Sequence, residues 1–132
     1  MFRKYNAKKV TLDGHKFDSL AEAKHYWHTL KPREAAGEIQ NLELQPAFRC
    51  EINGKLICKY IADFAYFDKQ VTGPHGQQGM KVVEDVKGFK TSIYRLKKKL
   101  VEALHPAVTI SEVSPQQYRA AKFSLPLDSE AD

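Results

Sequence analysis

Tyr60-Ile61-Ala62-Asp63-Phe64-Ala65-Tyr66-Phe67 and, further on, Val82-Val83-Glu84-Asp85-Val86-Lys87 are the two stretches that decide the fold. Both are dense in aromatic and β-branched residues, and both read as strands. Successive strand side chains point to opposite faces, so Ile61, Asp63 and Ala65 share one face and Tyr60, Ala62, Phe64 and Tyr66 the other. In the second stretch the same rule groups Asp85 with Lys87 and turns Glu84 away, toward the surface or the outer rim of the site. Each strand therefore carries an acid within an apolar sheet. A buried carboxylate without compensation is costly and needs a partner, a metal or water. An ion pair with Lys87 at a sheet end would serve. Two acids and a lysine are equally the companions of a hard cation such as Mg²⁺, which takes carboxylate oxygens, waters and substrate phosphate.

Working outward, the first strand reads as one long run from Lys55 to Phe67, joined through a tight turn at Asn53-Gly54 to Phe48-Arg49-Cys50-Glu51-Ile52, with Leu42 and Leu44 alternating before it. This is an antiparallel meander. A two-residue turn at 53–54 sets Cys50 opposite Ile57 and Cys58 opposite Arg49, so the thiols point to opposite faces and stay reduced; a longer loop would change that register. Gln45, before Pro46, is placed either to approach the site from the first strand or simply to turn the chain. The glycine-rich stretch from Thr72 to Gly79 reads as a mobile loop near substrate, ahead of a strand from Met80 to Lys87.

Upstream, Val10-Thr11-Leu12 and His15-Lys16-Phe17 flank Asp13-Gly14 as a small hairpin. Ser19-Leu20-Ala21-Glu22 has the spacing of a capping box, and Leu20, Ala23, Trp27 and Leu30 form the apolar stripe of a helix that must kink or restart at Pro32 and end at Gly37. His25 and His28 lie on this helix without a third ligand and read as a solvated or flanking pair, and Tyr26 as core. Downstream, Gly88 interrupts. Ile93, Leu96, Leu100 and Leu104 then describe a second helix over residues 91–104, closed by Pro106, before a last strand over residues 107–113. The reading is a single α/β domain over residues 10–113, a mixed central sheet flanked by helices in the order hairpin-α-β-β-β-α-β. A basic arm, 1–9, precedes it and a polar tail, 114–132, follows.

At 132 residues with 42% hydrophobic content the chain suits one compact domain. No apolar run is long enough to span a bilayer and no signal-peptide pattern opens the chain, so a soluble, unexported, cytoplasmic protein without membrane partners is expected. The net charge of +5 is clustered in Arg3, Lys4, Lys8 and Lys9 and again in Lys87, Lys90, Arg95, Lys97, Lys98 and Lys99, which suits a polyanionic partner and, on charge alone, equally a merely solvated surface.

Asp63, then Asp85-Val86-Lys87 22 positions later, with Glu22 on a preceding helix and a basic helix behind, resembles the PD-(D/E)XK nucleases. The chain is closely similar to a family of small phage-encoded proteins with the patterns seen here at Lys4 to Lys9, Phe17 to Ala23, Tyr60 to Phe64 and Glu84 to Gly88. The resemblance covers about residues 4–113, and the proline of the superfamily name is replaced by Ala62. It implies a restriction-endonuclease-like domain in which Asp63, Asp85 and Glu22 hold Mg²⁺ or Mn²⁺ and Lys87 assists hydrolysis. It further implies a metal-dependent endodeoxyribonuclease of Holliday junction resolvase type, acting on branched or recombination intermediates in the host cytoplasm. Symmetric cutting of a four-way junction would require a homodimer.

DNA would be held by Lys4, Lys8 and Lys9 of the arm and by Lys90, Thr91, Tyr94, Arg95 and Lys98, off the apolar face of the second helix or at its start. Such contacts are salt-dependent and blind to sequence. The competing expectation is a catalytically inactive DNA-binding protein of the same fold, and a ribonuclease is a third. Glu22 is either a metal ligand or the third residue of the capping box. The two roles separate by substitution. Ser19→Ala should cost about 1 kcal/mol of stability by denaturant titration with activity per folded molecule retained, whereas Glu22→Gln should keep a folded protein and lose cleavage.

Overall fold

The structure, a computed structural model, describes residues 8–128. It is a mixed α/β arrangement. Type I′ turns with positive φ at Asp13 (56°) and Gly14 (78°), and at Asn53 (51°) and Gly54 (79°), close its two small hairpins, as the dipeptides require. The first joins β1 (Val10–Leu12) to β2 (His15–Phe17), and the second joins β4 (Ala47–Ile52) to β5 (Lys55–Ile61).

Between them lies a helical segment. Ser19 caps α1 (Leu20–His25) by accepting a bond from the Glu22 amide. Pro32 lacks an amide to continue the α-helical ladder. The chain widens ahead of it into a π-helical turn (Tyr26–Leu30), closed by a bond from the Lys31 amide to the Tyr26 carbonyl, and resumes as α2 (Lys31–Ala35). Of the expected stripe, Ala23 and Leu30 are buried and Trp27 packs half-buried against them, but the buried face is turned away from Leu20. Leu20 is exposed, while Glu22, Ala23, His25, Tyr26 and Leu30 are buried, because the first hairpin and the C-terminal segment also cover the helix and select its face.

The main sheet has the order β3-β6-β7-β8, from β3 (Ile39–Leu44), β6 (Phe64–Thr72), β7 (Gln78–Val86) and β8 (Ile110–Val113). β6 is antiparallel to β3 and β7, and β8 runs parallel to β7 after a crossover through α3 (Ser92–Leu104), so the sheet is mixed.

The long strand expected over residues 55–67 is two. The chain bends at Ala62-Asp63, β5 staying with β4 in a separate hairpin while β6 enters the main sheet. The bend is held by bonds from the Gln45 amide to the Asp63 carbonyl, from the Ala62 amide to the Pro46 carbonyl and from the Asp63 amide to the Glu84 carbonyl. It also resets the alternation: Ala65 joins Tyr60 and Ala62 on the α3 side, and Phe64 and Tyr66 face α1. The elements between the helices number five strands rather than three. Gln45 turns the chain with φ 54°, its side chain exposed.

Two apolar layers sandwich the sheet. On one side Tyr60, Ala65 and Val83 pack with Tyr94 and Val101 of α3; on the other Phe64 and Tyr66 pack with Leu12, Phe17, Ala23 and Leu30. The expected stripe on α3 holds for Leu100 and Leu104, which pack against the core, and is corrected at its start. Ile93 and Leu96 are 60% and 56% exposed, and Tyr94 and Val101 are the buried pair. The cysteines are also re-registered. A bulge between Cys50 and Glu51 leaves Ile57 without a cross-strand partner and pairs Cys50 directly with Cys58, both free thiols.

The glycine-rich stretch over residues 72–79 is the tip of the β6–β7 hairpin, with Thr72 paired to Gln78. It stands about 25 Å along the strands from Asp63, at the end of the sheet away from the acids. The last strand starts at Ile110 rather than 107. Residues 114–128 pack back on the domain: Tyr118 is buried, and Asp128 accepts from the amides of Asp13 and Gly14 at the first turn. No helix among the described residues is long and apolar enough to cross a membrane. Phe64 is 1% exposed at the centre of the α1-side layer, so Phe64→Ala should lower stability by roughly 3–5 kcal/mol in chemical denaturation.

Candidate functional site

The bend at residue 63 and the C-terminal end of β7 place four side chains at one end of the sheet. Asp63 is fixed twice to β7. Its amide donates to the Glu84 carbonyl, and its carboxylate Oδ2 accepts from the Val86 amide at 2.7 Å. Asp85 follows Val83 in phase toward the α3 side and is 1% exposed. Its Oδ2 is sealed from solvent and has no hydrogen-bond partner; only this atom and the Tyr60 hydroxyl are so left among the described residues. Glu22 approaches from α1, and its carboxyl meets that of Asp63 within hydrogen-bonding reach. The Ser19 hydroxyl also donates to Glu22 Oε2 at 3.1 Å, so this hydroxyl takes the place of the backbone amide of a full capping box.

Burial sets the charge states. It pushes Glu22 up to about 8, reinforced by the negative charge of Asp63. Asp63 is also raised by burial, held back by the Val86 amide and by Lys87. The directions of the shared bond make Glu22 the holder of the proton and Asp63 its acceptor. Burial lifts Asp85 to about 6, against the pull of Lys87 and the Asp63 amide. Lys87 lies just past the end of β7. Its Nζ stands 4.6 Å from the centre of the Tyr94 ring, a cation–π contact, and its amide donates to the Val113 carbonyl.

Two adjoining clefts open over this end of the sheet. One, of about 550 Å³, brings together Ser19, Glu22, Lys87, Tyr94 and Arg119. The other, of about 560 Å³, runs from Lys87 past Lys90 and Glu112 to Arg119. Glu22 and Lys87 thus face a shared opening, with Asp63 and Asp85 recessed. Among the described residues no three His, Cys, Asp or Glu side chains are gathered closely enough to hold a metal on their own, so an ion here would need waters or a substrate oxygen as well.

Other residues fall differently from their sequence reading. Glu84 is buried rather than at the surface. Its Oε2 accepts from the Tyr66 hydroxyl at 2.7 Å and its Oε1 lies 2.7 Å from His25 Nε2. His25 is likewise buried, with Nδ1 2.6 Å from the Tyr118 hydroxyl, which in turn lies 2.6 Å from Thr29 Oγ1. Alternation gave the face of Glu84 correctly but not that α1 covers it.

Tyr94 does not reach outward: it is buried and donates to Glu112 at 2.8 Å. Thr91 is the N-cap of α3, accepting from the Tyr94 amide. Lys90 and Lys98 each lie 3.5 Å from Glu112, Lys9 pairs with Asp18 at 2.9 Å, and Arg95 and Lys8 are exposed. Lys4 lies outside the described residues. Glu112 and Arg119 were not singled out. Glu112 belongs to a strand whose pairing with Asp85 is non-local, and Arg119 to a segment that looks like a tail.

The family model described as "Protein of unknown function (DUF1064)" matches residues 2–124. No curated protein and no solved structure matches the chain.

The raised acids fix a pH dependence. A carboxyl that keeps its proton in the folded state but loses it near pH 4 to 5 when unfolded makes stability fall as pH rises between the two values. For Glu22 that window runs from the ordinary 4.5 to about 8, and for Asp85 from 3.8 to about 6. In chelator, the melting temperature should therefore fall from pH 5 to pH 8, and Glu22→Gln should flatten most of the fall above pH 6; calorimetry across that range checks both.

Proposed function

We propose that this chain, which belongs to the DUF1064 family, is a Mg²⁺- or Mn²⁺-dependent endodeoxyribonuclease of the PD-(D/E)XK type, acting on branched or recombination intermediates of DNA. The observation that carries the reading is the sealed Asp85 Oδ2, a carboxylate oxygen with no protein partner at the end of the sheet that also carries the Glu22–Asp63 pair. Leaving such an oxygen unmatched costs stability that a structural residue would not forfeit. A cation would supply the missing partner.

The donors are all oxygens, Asp63 and Asp85 with Glu22, which fits a hard divalent ion and not a thiolate- or imidazole-seeking one. The proton held on Glu22 would leave as the ion enters. Bound there, the ion supplies Lewis acidity toward a phosphate oxygen and acidity to a water. The protein's own groups do the remainder. Asp63, clamped to the Val86 amide, keeps its orientation through turnover. Lys87, held near Tyr94, stands where it can balance the charge that develops on the phosphoryl oxygens or orient the attacking water. The attacking water would give up a proton to solvent as its oxygen forms the new P–O bond, the bond to one sugar oxygen would break, and the departing sugar oxygen would take up a proton from a solvent water.

Lys8, Lys9, Lys90, Arg95 and Lys98, with Lys4 of the arm, would bind the phosphates, and Lys90 and Lys98 would exchange Glu112 for them. Tyr94 is withdrawn from that set, and Thr91 acts there through the N-terminus of α3 that it caps. Two copies of the chain would be required to cut both strands of a junction symmetrically.

A second reading, a DNA-binding protein without catalysis, draws on the lack of a self-sufficient metal cluster among the described residues. A cleavage panel of linear duplex, single strand, flap and four-way junction, in Mg²⁺, Mn²⁺ or chelator, separates the two. The nuclease reading expects metal-dependent cutting of at least one DNA, lost about 100-fold or more in Asp85→Ala and in Lys87→Ala with the fold intact. Cleavage undiminished in both variants would sink it, and DNA binding without any cutting would leave the second reading.

A further inference from the structure

Residues 114–119 leave β8 and cross the mouth of the clefts, held from two sides. Pro115 lies against Gly88, the residue after Lys87, so closely that a Cβ at Gly88 would come within 3.2 Å of the proline ring. Tyr118, three residues on, is 3% exposed, and its hydroxyl enters the buried chain of His25, Glu84 and Tyr66. Lys24 adds a bond from Nζ to the Tyr118 carbonyl at 2.8 Å. Those anchors join the segment to α1, β6 and β7, the same elements that carry the acids.

Arg119 comes directly after the buried tyrosine and is exposed at the border of the opening. It lines both clefts, beside Lys87 in each and with Glu22 in one of them. Among the described residues its guanidinium has no hydrogen bond, ion pair or ring contact, unlike Lys90 and Lys98, which Glu112 occupies. A guanidinium is always charged and offers a planar fork matched to two phosphate oxygens. A fork without an acidic partner has no ion pair to break before it takes an anion, and the buried tyrosine beside it fixes the backbone from which it reaches.

We infer that Arg119 binds a phosphate of the DNA strand in the cleft, and that Tyr118, anchored to His25, is the positioning residue that holds it there. The inference rests on the DNA-directed reading above but not on catalysis, since a phosphate can be held with or without cleavage.

The test is binding of a fluorescent duplex and a fluorescent four-way junction to the full chain in chelator, by anisotropy, across a range of salt. Arg119→Ala should weaken binding roughly tenfold at 0.1 M salt and reduce the magnitude of the log–log salt slope by about 0.9, the contribution of one phosphate contact. Arg119→Lys should restore most of the slope and less of the affinity, because the charge returns without the fork. Tyr118→Phe should weaken binding and reduce the slope in part, a readout that a merely structural role would not move. Lys69→Ala, on the far part of β6, serves as the charge control and should lose less than Arg119→Ala.

Equal binding and slope in Arg119→Ala and the parent would overturn the inference, as would equal losses in Arg119→Ala and Lys69→Ala. A parent that binds no DNA at any salt overturns it together with the DNA-directed reading. A parent that binds, never cleaves and still loses slope in Arg119→Ala supports it while removing the nuclease.

Discussion

Two hydrogen bonds at residue 63 organise the rest of the molecule. The amide donates to the Glu84 carbonyl and the carboxylate accepts from the Val86 amide, so one residue bridges either side of Asp85 on the neighbouring strand. The clamp stops β5 from running on into β6, which frees the β4–β5 hairpin to cover α3 and lets β6 take its place between β3 and β7. It also spends part of the Asp63 carboxylate on the backbone, fixing its direction. Glu22 and Asp63 meet at this end of the sheet because the bend that divides the strands is the place where Asp63 stands.

Consecutive residues of β7 then show two fates for a buried acid. Glu84, on the α1 side, is matched by Tyr66 and His25 and forms part of the framework. Asp85, on the α3 side, keeps one oxygen without a partner. The difference lies in what each face packs against. The α1 face brings a histidine and a tyrosine into reach, while the α3 face is largely apolar, and the Tyr94 hydroxyl on it is committed to Glu112. An unmatched buried oxygen in a protein whose other buried acids are matched marks where the fold has set stability aside.

The buried chain Tyr66–Glu84–His25–Tyr118 ties this framework to the C-terminal segment. It passes through the sheet's α1 face from β6 to a residue beyond the last strand. The segment over residues 114–119 therefore belongs mechanically to the end of the sheet that carries the acids, and the close contact of Pro115 with Gly88 makes that attachment local as well.

What the sequence by itself determined was whatever is decided within a few residues. Asp13-Gly14 and Asn53-Gly54 choose type I′ turns because few other pairs tolerate two positive φ angles, and Ser19 and Thr91 cap helices through bonds to amides three residues on. The alternation in Val82 to Lys87 likewise separated Glu84 from Asp85 and put Lys87 with the latter.

Tertiary structure decided everything that needed a second element. Which face of α1 and α3 is buried depended on what covers it, so Ile93 and Leu96 lie exposed while Tyr94, His25 and Glu84 are inside. A one-residue bulge, invisible to alternation, brought Cys50 opposite Cys58. The division of residues 55–67 and the place of Arg119 beside Lys87 came from hydrogen bonds and packing between residues far apart in the chain. Local propensity fixes turns and caps because their partners are neighbours; burial and site geometry follow from long-range contacts whose partners no short window contains.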